Sequence, residues 1–182
     1  MNKDFILPIV VLSLICFFVS GALAAVNTFT QPKIEKDAIF RAKQEMERII
    51  PQADNFKELK DIENLPRTIT GIFRAEKSDG NILGYLFMIS TAGYGGDINL
   101  ICGIDNYGKI IKTEVLSHTE TKGMTDPVFS DPHQSQYIGK DKNLIGILAV
   151  TGATVSSTAY KNGVRDAHTA FDIVTALKQE VR

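Results

Sequence analysis

Among the 182 residues, the run Val150-Thr151-Gly152-Ala153-Thr154-Val155-Ser156-Ser157 concentrates the groups that have chemistry to offer. Hydroxyls on Thr151, Thr154, Ser156 and Ser157 surround one glycine, between a short apolar run and a segment of helical period. The start of a helix leaves its first N–H groups unpaired and carries the positive end of the helix dipole, so a phosphate docks there readily. Gly152 lets the backbone come close to such a ligand. On spacing alone two readings stand: a phosphate site, or hydroxyls that simply cap the helix. The run has neither the lysine of a P-loop nor the second turn glycine of a dinucleotide fingerprint, so ATP and NAD find no support in it.

Other candidate chemistry is thinner. His118 and Glu120 stand two apart, but no third or fourth ligand is near them in sequence, and His133 and His168 are isolated, so no metal is expected. Ser156 and Ser157 lack the glycines of a nucleophile elbow, and nothing points to a hydrolase. The two cysteines, Cys16 and Cys102, are far apart. Cys16 follows Ile15 rather than a small residue, which argues against lipid attachment, and Cys102 reads as a small buried hydrophobe.

Thr151-Gly152-Ala153-Thr154 followed by Ser156-Ser157 resembles the Ser/Thr-Gly-Ala-Thr flavinylation motif of the FMN-binding domain family. Three further stretches match in the same order. Val26-Asn27-Thr28-Phe29-Thr30 is similar to the family's exit from its anchor helix. Gly93-Tyr94-Gly95-Gly96-Asp97-Ile98, with Gly103-Ile104-Asp105, is similar to its Gly-Tyr-Gly-Gly strand pair. His118-Thr119-Glu120-Thr121-Lys122-Gly123-Met124 looks like its His-x-Glu-Thr-Pro-Gly-Leu loop. Lys122 stands where proline is usual and reads as pointing into water. Leu148 stands where the family often has an acidic residue.

The resemblance implies FMN joined through its phosphate to Thr154 by a dedicated flavin transferase, with Thr151, Gly152, Ala153, Ser156 and Ser157 around the phosphate. It implies a loop of Glu120, Thr121, Gly123 and Met124 over the ring, with Met124 as an apolar wall. Tyr94 either stacks on the ring or packs in the core. Backbone N–H groups near Gly95, Gly96 and Gly123 are expected to reach ring oxygens. Within the family this chain looks like the G subunit of Rnf-type ion-translocating complexes, which pass electrons between ferredoxin and NAD, coupled to Na+ or H+ movement. The related C subunit of the sodium-translocating NADH:quinone reductase is the alternative, disfavoured because the soluble part here is short. A tethered binding or assembly module without redox function is a third reading, which the complete Thr-Gly-Ala-Thr run opposes. The expected partners are iron–sulfur and flavin subunits of a membrane redox complex, the transferase, and lipid. Electron transport needs no substrate turnover by this subunit itself, and no catalytic residue is assigned.

Composition agrees with this. Twenty basic and 21 acidic residues give a formal net charge of −1, so there is no basic excess to bind nucleic acid. Phe5 to Val26 is an uncharged apolar run of 22 residues. As a helix it is about 33 Å long, enough to cross a hydrocarbon core of about 30 Å. It is longer than the h-region of a cleaved signal peptide, although Ala22-Leu23-Ala24 resembles a cleavage site. Lys3 ahead of it places the N-terminus in the cytoplasm and the rest outside, at the cell membrane.

The elements that must position the motif follow. Residues 1–27 are expected to anchor, 28–66 to form an amphipathic helix and connector, and 67–182 to form the FMN-binding domain. The amphipathic helix, residues 33–50, sets Ile34, Ala38, Ile39, Ala42, Met46, Ile49 and Ile50 on one face, after a break at Thr28–Pro32. Residues 51–67 read as irregular. Strands are expected at Thr68–Ala75, Ile82–Ser90, Ile98–Asp105 and Ile110–Leu116 as an antiparallel meander, with a further strand at Leu144–Val150. Residues 117–143 show no period, and a stretch that long is usually functional. Thr154–Lys178 reads as a helix burying Val155, Ala159, Val164, Ala167, Ala170, Phe171, Val174 and Leu177. The fold class is α+β: one transmembrane helix, then a domain with a curved antiparallel sheet and flanking helices.

Overall fold

The computed structural model describes residues 3–180, with side-chain environments given for 8–28, 30 and 40–177. The chain divides into two compact units, Met1–Arg41 and Ala42–Arg182.

In the first unit the backbone belongs to helix α1, Lys3–Ile49, whose last residues enter the second unit. Its segment Pro8–Thr28 is long and apolar enough to cross a membrane. The expected break at Thr28–Pro32 is not found: the backbone is helical throughout. Thr28 and Thr30 donate their hydroxyls to the carbonyls of Ala24 and Val26, four residues back, which satisfies them inside a helix. Pro32 removes one backbone donor without ending the helix. The expected face positions Ile34, Ala38 and Ile39 lie outside the described side chains.

The second unit is built on five antiparallel strands in sequential order: β1 (Asn55–Glu58), β2 (Ile69–Glu76), β3 (Ile82–Ala92), β4 (Asp97–Asp105) and β5 (Ile110–His118). The meander expected from alternation and turn residues is β2–β5. Strand β1 was not foreseen, because its Asn-Phe-Lys-Glu sequence carries almost no apolar signal and is a strand only by pairing with β2.

Alternation along β4 sorts two cores. Ile98, Leu100, Cys102 and Ile104 face one side, while Ile101 faces the other. The first core is closed by helix α3, Thr154–Glu180, through Ala159, Tyr160, Val164, Ala167, Ala170, Phe171 and Val174. Gly163 allows this contact: a Cβ there would lie 2.9 Å from Ile89 Cγ2. Ala42, Met46, Ile49 and Ile50 cover Ala75, Leu86 and Ile101 on the opposite face.

Leu144–Val150 is not a strand. Leu144 (φ 49°) and Gly146 (φ 82°) break any extended run. The amides of Leu148 and Val150 go to side chains, Gln136 Oε1 at 2.9 Å and Ser157 Oγ at 3.0 Å, rather than to a neighbouring strand. Residues 117–143 contain the end of β5, the short helix α2 (Asp131–Gln134) and 3-10 turns at Asp126–Phe129 and Ser135–Tyr137.

Candidate functional site

Two pairs of contacts set the direction of α3 against the sheet. Ile89 on β3 meets the Gly163 position, and Thr91 Oγ1 donates to Ala159 C=O at 3.5 Å. Two residues forward on β3 thus match four residues back on α3, about 6–7 Å in each case. The two elements run antiparallel. The end of β3, with the Gly93–Gly96 turn that follows it, therefore lies at the same end of the sheet as the start of α3.

At that start the chain turns at Gly152, φ +83°, and Ala153 N–H donates to Val150 C=O at 3.1 Å. A side chain on Gly152 would meet no atom within 4 Å, so its conformation, not crowding, requires glycine. Ser157 N–H donates to Ala153 C=O at 2.9 Å, which makes Ala153 the cap residue and Thr154 the first helical one. Alanine has no side-chain acceptor to offer the helix. The N–H groups of Thr154, Val155 and Ser156 have no acceptor among the described residues. Thr154 and Thr151 are exposed. Ser157 is buried and uses its hydroxyl to hold Val150 N–H. Ser156 is 1% exposed and its hydroxyl has no hydrogen-bond partner among the described residues.

The capping reading thus fails for Thr154, since the cap is Ala153. The first turn also departs from the helix pattern in burial. Val155, expected inside, is 55% exposed, while Ser156 and Ser157 take the inner positions. Leu177, also expected inside, is exposed at the far end.

The second loop pair is organised by Glu120, which is buried. Its Oε1 accepts Tyr94 N–H at 2.7 Å and its Oε2 accepts Gly95 N–H at 3.1 Å. A Cβ on Gly93 would collide with this carboxylate, and one on Gly96 (φ +149°) with the Thr119 hydroxyl. The glycines are there to let the two loops close on each other. Glu120 is therefore a strut, and the Gly95 N–H that was expected to reach a ligand is already donated to it. Tyr94 is 73% exposed, which removes the core-packing alternative.

Thr125 closes the following loop by returning its N–H and hydroxyl to Thr121 C=O, at 3.4 and 2.9 Å. Gly123 (φ +86°) forms its bend, and Thr121, Lys122, Gly123 and Met124 are all exposed. His118 stacks on Phe129 with ring centroids 4.2 Å apart. Among the described residues, no group of three or more His, Cys, Asp or Glu is placed to hold a metal ion.

A buried aromatic cluster escaped sequence reasoning. The rings of His133, Tyr137 and Tyr160 pack together, with centroids 5.2 Å apart for the tyrosines and 5.6 Å for His133 to each. Among the described residues the Tyr137 hydroxyl has no hydrogen-bond partner, and the Tyr160 hydroxyl faces that of Thr113. Burial lowers the pKa of His133 and raises those of both tyrosines. The residues come from α2, the 3-10 turn after it and α3, and no local spacing links them.

Residues 93–169 match the FMN-binding domain family. Over 185 residues the chain is 26% identical to the G subunit of the ion-translocating oxidoreductase complex of Methanosarcina acetivorans, covering 96% of this chain and 97% of that protein. Over 166 residues it is 28% identical to the G subunit of the proton-translocating ferredoxin:NAD(+) oxidoreductase complex of Clostridium ljungdahlii, covering 86% and 85%. Among solved structures it is similar to NqrC of Shewanella oneidensis, with TM-score 0.47 and 17% identity over 64% of this chain and 65% of that one.

Proposed function

We propose that this chain, which carries an FMN-binding domain over residues 93–169, is the flavin-bearing G subunit of a membrane ion-translocating oxidoreductase of the Rnf type, with FMN esterified through its phosphate to Thr154. One observation supports the attachment most strongly. An exposed hydroxyl stands on the first residue of a 27-residue helix whose leading N–H groups have no acceptor among the described residues, beside a buried serine hydroxyl that none of them satisfies.

These residues fit a phosphoester. The amides of Thr154, Val155 and Ser156 and the positive end of α3 offset its charge, and Ser156 offers a donor. Ser157 fixes the approach by holding Val150 N–H. FMN, when bound, supplies the one- and two-electron chemistry that links one-electron and two-electron partners. The rest falls to the chain. Tyr94 and Met124, both exposed at the sheet end that carries these loops, present apolar surface to the ring. Glu120 keeps the Tyr94 turn in place. Thr121 and Gly123 shape the loop above it.

In this reading electrons pass between neighbouring iron–sulfur and flavin subunits along the route from ferredoxin to NAD, coupled to Na+ or H+ translocation. Residues 1–27 anchor the chain as a single span in the cell membrane, with the N-terminus cytoplasmic and the flavin domain outside. A flavin transferase loads Thr154. Covalent attachment keeps the cofactor in place where free FMN is scarce.

The test is a denaturing gel. The chain produced with its transferase shows a fluorescent band at its own mass, and Thr154→Val shows none. A dark wild-type band, or a fluorescent mutant, rules out attachment at Thr154.

A further inference from the structure

A cleft of about 300 Å³ opens beside α3, between Ser157–Arg165 and the irregular segment Ile147–Ala149. Its helical wall carries Thr158, Lys161, Asn162 and Arg165, and His133 also lines it. Lys161 and Arg165 are four residues apart on one helical face, an arrangement in which like charges repel. Neither is in an ion pair among the described residues. No carboxylate borders the cleft. The acidic residues nearby on α3 are engaged elsewhere, Asp166 with Thr68 Oγ1 and Asp172 with Lys142. Arg165 Nη1 donates to Asn162 Oδ1 at 2.8 Å, which fixes the guanidinium.

His133 is 3% exposed and closes the cleft; burial lowers its pKa, outweighing the upward pull of the Val128 backbone that its ring faces. The ammonium, guanidinium, amide and hydroxyl of Lys161, Arg165, Asn162 and Thr158 together exceed what the two oxygens of a carboxylate accept, and suit an oxyanion with more oxygens.

We infer that this cleft binds a phosphate-class oxyanion, free or as a monoester, at a place separate from Thr154. The cleft begins at Ser157, three residues past Thr154, but its two cations, Lys161 and Arg165, lie seven and eleven residues past it, about 10 and 16 Å along the axis. The site goes beyond the flavin proposal and does not need it.

Calorimetric titration of the full chain in detergent, with inorganic phosphate at fixed ionic strength and acetate as control, tests this. Both the flavin-loaded chain and Thr154→Val are titrated. One saturable phosphate site is expected in each, with acetate weaker. The double substitution Lys161→Gln/Arg165→Gln, at residues outside the core, is expected to weaken phosphate about tenfold or more with unchanged Tm. Glycerol 3-phosphate binding as tightly as phosphate assigns the ester, and weaker binding assigns the free anion. No saturable binding, binding that survives the double substitution, or binding absent from the flavin-loaded chain overturns the inference. Failure of the flavin proposal shows separately, as a dark band on the gel.

Discussion

The two glycine-bearing loop regions at the same end of the sheet handle their backbone donors in opposite ways. At Gly93–Gly96 a buried carboxylate takes the N–H groups of Tyr94 and Gly95. At Gly152–Ser156 the cap position is alanine, and among the described residues three N–H groups and a buried hydroxyl have no partner. Buried polar groups are ordinarily satisfied. A region that satisfies itself behaves as scaffold, whereas open donors at a helix start are what an anion at Thr154 would need.

Four predictions bear on that contrast. Thr154→Val is expected to abolish covalent flavin entirely while leaving thermal unfolding within a degree or two of wild type. A large loss of Tm would mean that the first turn is scaffold after all. Glu120→Ala is expected to act in the reverse sense, costing about 2–4 kcal/mol of stability because two backbone donors lose a charged acceptor. Denaturant unfolding measures it, and hydrogen exchange should quicken at Tyr94 and Gly95. Unchanged protection there would remove Glu120 as the strut.

Gly152→Ala tests the open turn by conformation alone. At φ +83° the substitution is expected to cost about 1 kcal/mol. Nothing lies within 4 Å of the new methyl, so the loss comes from the backbone, and flavin loading slows without ceasing. The smallest effect is that of pH. Burial holds His133 and His168 below their ordinary pKa, so the unfolded chain takes up protons first on acidification. Their contribution is complete above about pH 6.5 and declines as pH falls below it. Tm should therefore drop between pH 7.5 and 5.5, and less so in His168→Gln. A Tm that is flat or rises through that window contradicts it.

Much of the architecture was legible in the chain. An uncharged apolar run announces a helix long and apolar enough to cross a membrane, and Pro8–Thr28 forms one. Alternation with Ser-Asp-Gly-Asn and Asp-Asn-Tyr-Gly turns identified β2 to β5, and the period from Ala159 to Val174 identified α3. These signals are local, since hydrophobic period and turn preference act over a few residues. The motif around Thr154 was also visible, but only as a choice between a cap and a phosphate site.

Tertiary structure decided what depends on partners distant in sequence. Strand β1 exists because β2 offers it a ladder, and Leu144–Val150 is not a strand because Gln136 and Ser157 take its amides. Glu120 became a strut across 25 residues of sequence, and Val155 yielded its inner place to two serines. Hydrogen-bond satisfaction is settled only when the whole chain has closed, because a donor's partner can come from anywhere in it. The sequence alone established that a helix begins at Thr154 behind a glycine turn. Only the folded chain decided that the start of that helix is left open.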